Sequence, residues 1–289
     1  MVAEKEEAGL MKKGTAGVTV VLLAVAMAGC TSTGPTSVNV PVPSAPTGKA
    51  VEATAPVPAP IAASRVEAAA PAPAPVAASG VLALGKLVAN KDAASIPVNA
   101  ASAPITIDGT LSSAAWKDAA AITDFIMGRS QKAPVETRVL VTYDKENLYL
   151  GIVCAEPNTD KLVATATGTD GAVWSDDAVE VYVDANNAKV KEYFGFFVNC
   201  KNATYDRTKE ANWHGTWSSK TSILPGKAWI AEMAIPFKTL GITPAAGLKL
   251  GLMVARDRKA GAEKNGCMYL VPCNDEAKNT TAYPVLELK

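Results

Sequence analysis

Short runs rich in Val, Ile, Tyr and Phe, bounded by Gly, Asn, Asp and Pro, recur through the last 200 or so residues of this chain. Runs of that kind predict strands. They fall at Ile105–Ile107, Thr137–Tyr143, Leu148–Glu156, Ala178–Asp184, Tyr193–Asn199, Trp229–Ile235, Lys249–Arg258, Met268–Val271 and Val285–Leu288. Helical signals are brief: Ser112–Asp118, and Pro236–Leu240 closed by Gly241. Asp144 to Asn147 reads as a hairpin connection. Many short strands without long helices, and no βαβ alternation, predict an all-β fold: an antiparallel β-sandwich, jelly-roll-like, with short helices.

The clearest strand pattern follows Trp174-Ser-Asp-Asp177. Val179, Val181 and Val183 share one parity; Ala178, Glu180, Tyr182 and Asp184 share the other. Successive strand side chains point to opposite faces, so one face is apolar and the other carries acid, phenol and acid. A flat ring beside a carboxylate on one sheet face suits a sugar, which offers C–H faces and hydroxyls. An amphipathic strand with a solvated outer face gives the same pattern.

The N-terminal part follows other rules. Lys12 and Lys13 precede an apolar stretch, Val18 to Met27, that is too short to span a bilayer and reads as an export signal. Met27-Ala28-Gly29-Cys30 resembles a bacterial lipobox, with Cys30 as the lipidated residue. Thr31, rather than Asp, at the next position favours the outer membrane if the cell is Gram-negative. The expected location is therefore the cell envelope, with the membrane reached through the lipid anchor. Residues 31–79 hold ten of the 19 prolines and no aromatic. Such a segment buries too little apolar surface to offset chain entropy. We expect residues 31–90 to be a Pro/Ala-rich tether and 91–289 one folded domain.

Lys plus Arg and Asp plus Glu each number 28, so the formal charge is zero. With no basic cluster, nucleic acid is not an expected partner. No Gly-x-Ser-x-Gly motif and no nucleophile–His pairing occurs, so a non-catalytic protein is expected. Asp176, Asp177 and Glu180 could mimic a glycosidase carboxylate pair, but acids so close at a strand start serve more often as caps. Cys154, Cys200, Cys267 and Cys273 lie in the folded part, and four cysteines allow three pairings. Cys154 and Cys200 each end an apolar strand, where a buried thiol and a bridge are equally compatible. A Cys267–Cys273 bridge would need a tight hairpin. Zinc is not expected, because His214 is the single histidine and the Cys spacing does not suit it.

Several segments together resemble carbohydrate-binding module family 9 and its relatives. They are Ile105-Thr-Ile-Asp-Gly-Thr-Leu111 with Ala115-Trp-Lys117, Val139–Tyr143 with Asn147–Leu150, the Trp174–Asp184 stretch, and Trp229–Pro236 with Gly247–Arg256. They occur in the family's order over nearly all of residues 95–289. The resemblance implies a β-sandwich that binds the ends of glucan or xylan chains between two tryptophans, with structural calcium. It implies that Trp174 is one stacking wall, that Glu180 hydrogen-bonds sugar hydroxyls, and that Asn199 is a polar contact on the neighbouring strand. Asp177 joins the same set of candidate contacts. Asp184 and Asn186 form an oxygen-rich turn that is the candidate calcium site.

Two positions depart from the family. The second stacking Trp is missing from Asn274–Tyr283, which leaves Trp213 or Trp217 to supply that wall, and Phe197 stands where an arginine is expected. Trp116 and Trp229 are expected in the core. Two other readings stay open. One is an envelope structural protein with a vestigial site. The other is a haem-binding electron-transfer module, since related sandwiches bind haem, with His214 and Met127, Met233, Met253 or Met268 as axial ligands.

Overall fold

The computed structural model describes residues 78–88, 94–209, 213–261, 266–272 and 277–289. The expected export signal, Cys30, the tether up to residue 77, Cys273 and Asn274–Glu276 lie outside the described residues.

The described strands are β1 (Lys86–Leu87), β2 (Ile96–Val98), β3 (Ala120–Ile122), β4 (Ile126–Met127), β5 (Gln131–Lys132), β6 (Thr137–Tyr143), β7 (Asn147–Ala155) and β8 (Ala178–Asp184). They continue with β9 (Phe194–Asn199), β10 (Thr204–Thr208), β11 (Ser218–Leu224), β12 (Ala228–Pro236), β13 (Lys249–Asp257), β14 (Cys267–Tyr269) and β15 (Val285–Leu288). One sheet runs β1-β3-β6-β7-β12-β11. The other runs β10-β9-β8-β13-β14-β4-β5, with β15 and then β2 on the remaining length of β13. Pairing is antiparallel except for β1 with β3 and β15 with β2.

Period two sorts the side chains between faces. Val139 and Val141, Leu148 to Cys154 at every second residue, and Trp229, Ala231, Met233 and Ile235 point inward from the first sheet. Val179, Val181 and Val183, with Phe196, Val198, Leu252 and Val254, meet them from the second. The result is the expected sandwich, with one core between its sheets. Arg256, fully buried at the inward parity of β13, crosses to the first sheet. It donates to Thr137 Oγ1 and Ala155 O and meets the Glu156 carboxylate at 3.4 Å. Arg258 completes that pairing through Nε at 2.6 Å. A buried carboxylate is tolerable only when paired and hydrogen-bonded in this way.

The outer face of the first sheet has its own cover. Leu111, Trp116, Leu140, Tyr149, Val153 and Ile230 form a second cluster with Val81 and Leu84. Residues 80–88, which the sequence reading counts with the tether, carry the buried Val81 and Leu84 and pair with β3 through β1. Ile105–Ile107 is not a strand. Glu232 on β12 holds the turn that follows it, accepting from Asp108 N at 2.8 Å and from Gly109 N, while Trp116 Nε1 donates to its other oxygen at 2.9 Å. The two expected helices shorten to a 3-10 turn at Ala114–Lys117 and to turns after Pro236. Trp116 and Trp229 are both core residues, as expected.

Cys154 and Cys200 are buried free thiols. Burial pushes Cys154 up to about 12 and Cys200 to about 11. No described helix is long and apolar enough to cross a membrane.

Candidate functional site

The site is built on the outer face of the second sheet. Glu180, Tyr182 and Asp184 on β8 point there, as their parity requires. Cross-strand pairing of Glu180 with Phe197, and of Phe197 with Tyr205, brings β9 and β10 residues onto the same face. Rings then touch in sequence, edge to face except for the tilted Tyr205–Phe197 pair. Trp174 meets Tyr205 at 5.1 Å, Tyr205 meets Phe197 at 5.5 Å, Phe197 meets Tyr182 at 5.2 Å, and Tyr182 meets Tyr193 at 5.4 Å. Edge-to-face pairs are the favoured aromatic arrangement. Most of these rings are sunk into the face, but Trp174 is 44% exposed.

Trp174 sits on a 3-10 turn, Val173–Ser175, followed directly by two buried acids. Asp176 is fully buried and accepts from Thr165 N, Thr165 Oγ1, Ala166 N and Asn199 Nδ2 at 2.7–3.0 Å. Burial raises its proton affinity, and these donors outweigh it, so the carboxyl stays below its ordinary range. Asp177 accepts from Val163 N at 2.8 Å and Lys259 N at 2.9 Å. Asn199 donates to Ala166 O and Asp176 and accepts from Lys201 N and Ala203 N. Asp177 and Asn199 are 0% exposed. Both sequence-derived contacts are therefore committed to holding the Trp174 turn rather than presented to a ligand.

Glu180 is partly exposed and accepts from Tyr182 OH at 2.5 Å. Asp257 lies on the adjoining ladder, where Ala255 pairs with Glu180 and Asp257 with Ala178. Burial pushes Glu180 upward. Burial, then the neighbouring Glu180 charge, pushes Asp257 up to about 7. Two carboxyls so placed hold a proton between them well above the usual carboxylate range, offering both a donor and an acceptor.

The arginine missing from β9 has a counterpart on β10. Arg207 pairs with Gly195 at the parity of Tyr205, and its guanidinium lies 5.9 Å from the Tyr193 ring centroid. Sequence reasoning missed Tyr205, Arg207 and Asp257 as site residues. Thr204–Thr208 has no apolar alternation to flag it as a strand, and its residues are half-buried throughout.

Trp213 does not supply the second wall. It packs on Phe194 and Phe196 at 5.3 and 5.9 Å, at the inward parity of β9, across the sheet from Trp174. Trp217 likewise packs on Phe196 and donates to Asp206. Tyr283 is 2% exposed, with its hydroxyl donating to Ala277 O.

The candidate calcium turn is held by its own backbone. The Asp184 carboxylate accepts from Ala188 N and Lys189 N at 3.1 and 2.8 Å, and Asn186 Oδ1 accepts from Ala188 N. The partnerless Asn187 Oδ1 adds one more oxygen. Calcium takes six to eight oxygens, and a turn with one carboxylate flanked by Lys189 and Lys191 does not fit it. Of the candidate haem ligands, Met233, Met253 and Met268 are fully buried in the core, Met127 is half-buried on β4, and His214 stands at the surface between two aspartates.

Comparison with known proteins bears on the fold. The structure is similar to a carbohydrate binding module family 9 from Caldicellulosiruptor kristjanssonii in complex with cellotriose. That match has 16% identity and a TM-score of 0.50, covering 67% of this chain and 94% of that one. The same kind of module from that organism in complex with glucose matches at 17% identity and TM-score 0.50, covering 67% and 96%. A proposed carbohydrate-binding protein from Bacteroides uniformis ATCC 8492 matches at 15% identity and TM-score 0.54, covering 68% and 99%. At such identity these likenesses speak to the fold. No curated protein matches in sequence. Residues 107–289, more than half of the chain, match the profile described as carbohydrate family 9 binding domain-like, and the protein belongs to that family.

Proposed function

We propose that this protein is a non-catalytic saccharide-binding protein that stacks a pyranose ring on Trp174. Glu180 accepts from its hydroxyls, and Arg207 and Asp257 are polar groups at the same parity of the sheet. The observation that carries the reading is Trp174 itself: an indole 44% exposed, wedged edge-on against Tyr205, on a turn braced by two buried aspartates. A lone exposed apolar side chain is ordinary; the family match and the row of rings beneath Trp174 are what single it out. A glucan or xylan chain end is the substrate class we favour, in line with the family and with the cellotriose and glucose named for its structural relatives. We further propose that Cys30 anchors the chain to the envelope membrane and that the Pro/Ala-rich segment acts as its tether.

Isothermal titration with cellotriose and xylotriose tests the reading. A sugar face on one side of the indole would cover about 80 Å² of apolar surface on the two partners, worth about 2 kcal/mol at ~25 cal/mol/Å². Trp174→Ala should therefore weaken binding roughly thirtyfold. Binding that survives Trp174→Ala unchanged would sink the stacking mechanism.

A further inference from the structure

Asp170, Asp206 and His214 come from three separate segments, yet their ligand atoms all lie within 4.8 Å of one another. His214 Nδ1 is 3.6 Å from Asp170 Oδ1 and 3.5 Å from Asp206 Oδ1. Three ligands held about 2.1 Å from a tetrahedral ion stand about 3.4 Å apart, so these separations match a shared metal. A second observation points the same way. Asp206 Oδ1 is buried without a hydrogen-bond partner, while Oδ2 is fixed by Trp217 Nε1 at 2.9 Å. With only His214 Nδ1 approaching it, at 3.5 Å, that buried carboxylate oxygen is costly unless a cation reaches it. The Trp217 bond is the kind of outer contact that orients a metal-ligating carboxylate. The three side chains line a cleft of about 640 Å³, which leaves room for water on the fourth position.

We propose that Asp170, Asp206 and His214 form a binding site for a divalent transition-metal ion of the zinc type. Imidazole with carboxylates suits zinc, whereas calcium and magnesium favour all-oxygen sites. The site joins three parts of the fold. Asp170 lies four residues before Trp174, and its N–H donates to Thr204 O at 2.9 Å. Asp206 is on β10 beside Tyr205, and His214 precedes β11. A bound ion therefore clamps the loop that carries Trp174 to the edge of the sheet.

Two of the ligands are exposed enough to be replaced with little effect on the fold. The side chains of His214 and Asp170 are 63% and 50% exposed. Asp170 has φ of +63°, a conformation that Asn tolerates well. The test is calorimetric titration of the purified chain, free of any histidine tag, with ZnCl₂ at pH 7.5. We expect one ion per chain with micromolar affinity, weakened at least about 100-fold in Asp170→Asn and in His214→Gln. CaCl₂ and MgCl₂ should not compete at millimolar concentration. Thermal melts without metal should be the same for all three proteins, and ZnCl₂ should raise the midpoint of the wild type alone. Absence of zinc binding would overturn the proposal, leaving only a histidine between two acids. Equal zinc binding by wild type and both variants would overturn it too.

Discussion

Glu232→Gln offers a test in which the sign of the effect depends on pH. Glu232 is fully buried and accepts from Trp116 Nε1 and from the N–H groups of Asp108 and Gly109. Three donors favour the ionised carboxylate, whereas burial and the nearby Asp108 charge favour the acid. Burial is the larger influence and raises the group from 4.5 to about 7. The folded protein therefore holds the proton more tightly than the unfolded chain does. Stability from this group is fully present below pH 4.5 and is lost as pH rises through 7. Integrated between pH 5 and pH 8, the loss is about 2.5 kcal/mol.

Gln is a neutral mimic of the protonated acid and does not titrate. The stability of Glu232→Gln relative to wild type should therefore rise by about 2.5 kcal/mol from pH 5 to pH 8, whatever its starting value. Asp257, which titrates in the same range, is common to both proteins and cancels. Urea unfolding followed by tryptophan fluorescence at the two pH values measures this. At a slope near 2.5 kcal/mol/M, the relative midpoint should move by roughly 1 M. A difference independent of pH, or one that moves against Gln as pH rises, would show that the three N–H donors keep Glu232 ionised throughout.

Other consequences separate bracing residues from contact residues. Asn199→Ala leaves the Ala203 N–H unpaired and takes a donor from the buried Asp176 carboxylate. At about 1–3 kcal/mol for each such group, it should cost about 3 kcal/mol in denaturant unfolding. Saccharide affinity of the protein that remains folded should change less than about threefold; a loss as large as that of Trp174→Ala would make Asn199 a contact residue after all. Cys154 and Cys200, buried and with their thiols pushed up to about 12 and about 11, should resist a thiol reagent at pH 8 until the protein unfolds. Rapid labelling of both in the native state would contradict their placement.

The strands of the sandwich were legible where one face is apolar. Thr137–Tyr143, Ala178–Asp184 and Val285–Leu288 match the sequence reading residue for residue, and β7, β12 and β13 differ from it by one residue at one or both ends. Edge strands were not legible. Thr204–Thr208 and Ser218–Leu224 bury neither face fully and carry no period-two signal. Ile105–Ile107 has a strand's composition but lies over the outer face of the first sheet, where Glu232 anchors the turn behind it.

The site was half legible for a related reason. Parity correctly assigned Glu180 and Tyr182 to one face and placed Asn199 beside them. It could not show that the Asn199 end of that face is covered, because the cover is built from Asp176, Asp177 and Asn199 bonding to Val163, Thr165 and Ala166, which no local pattern connects. The Asp170–Asp206–His214 cluster escaped for want of any sequence spacing at all; it exists because Asp170 docks on β10.

The central claim is that a saccharide meets this protein on Trp174. The chain has five tryptophans, so a sample with ¹⁵N-labelled indoles gives five side-chain signals that can be followed separately. On titration with cellotriose, the indole assigned to Trp174 through Trp174→Phe should move most and saturate, while those of the buried Trp116 and Trp229 stay put. A saturating shift at Trp213 or Trp217 with Trp174 unmoved would place the site on the other side of the sheet and contradict the account.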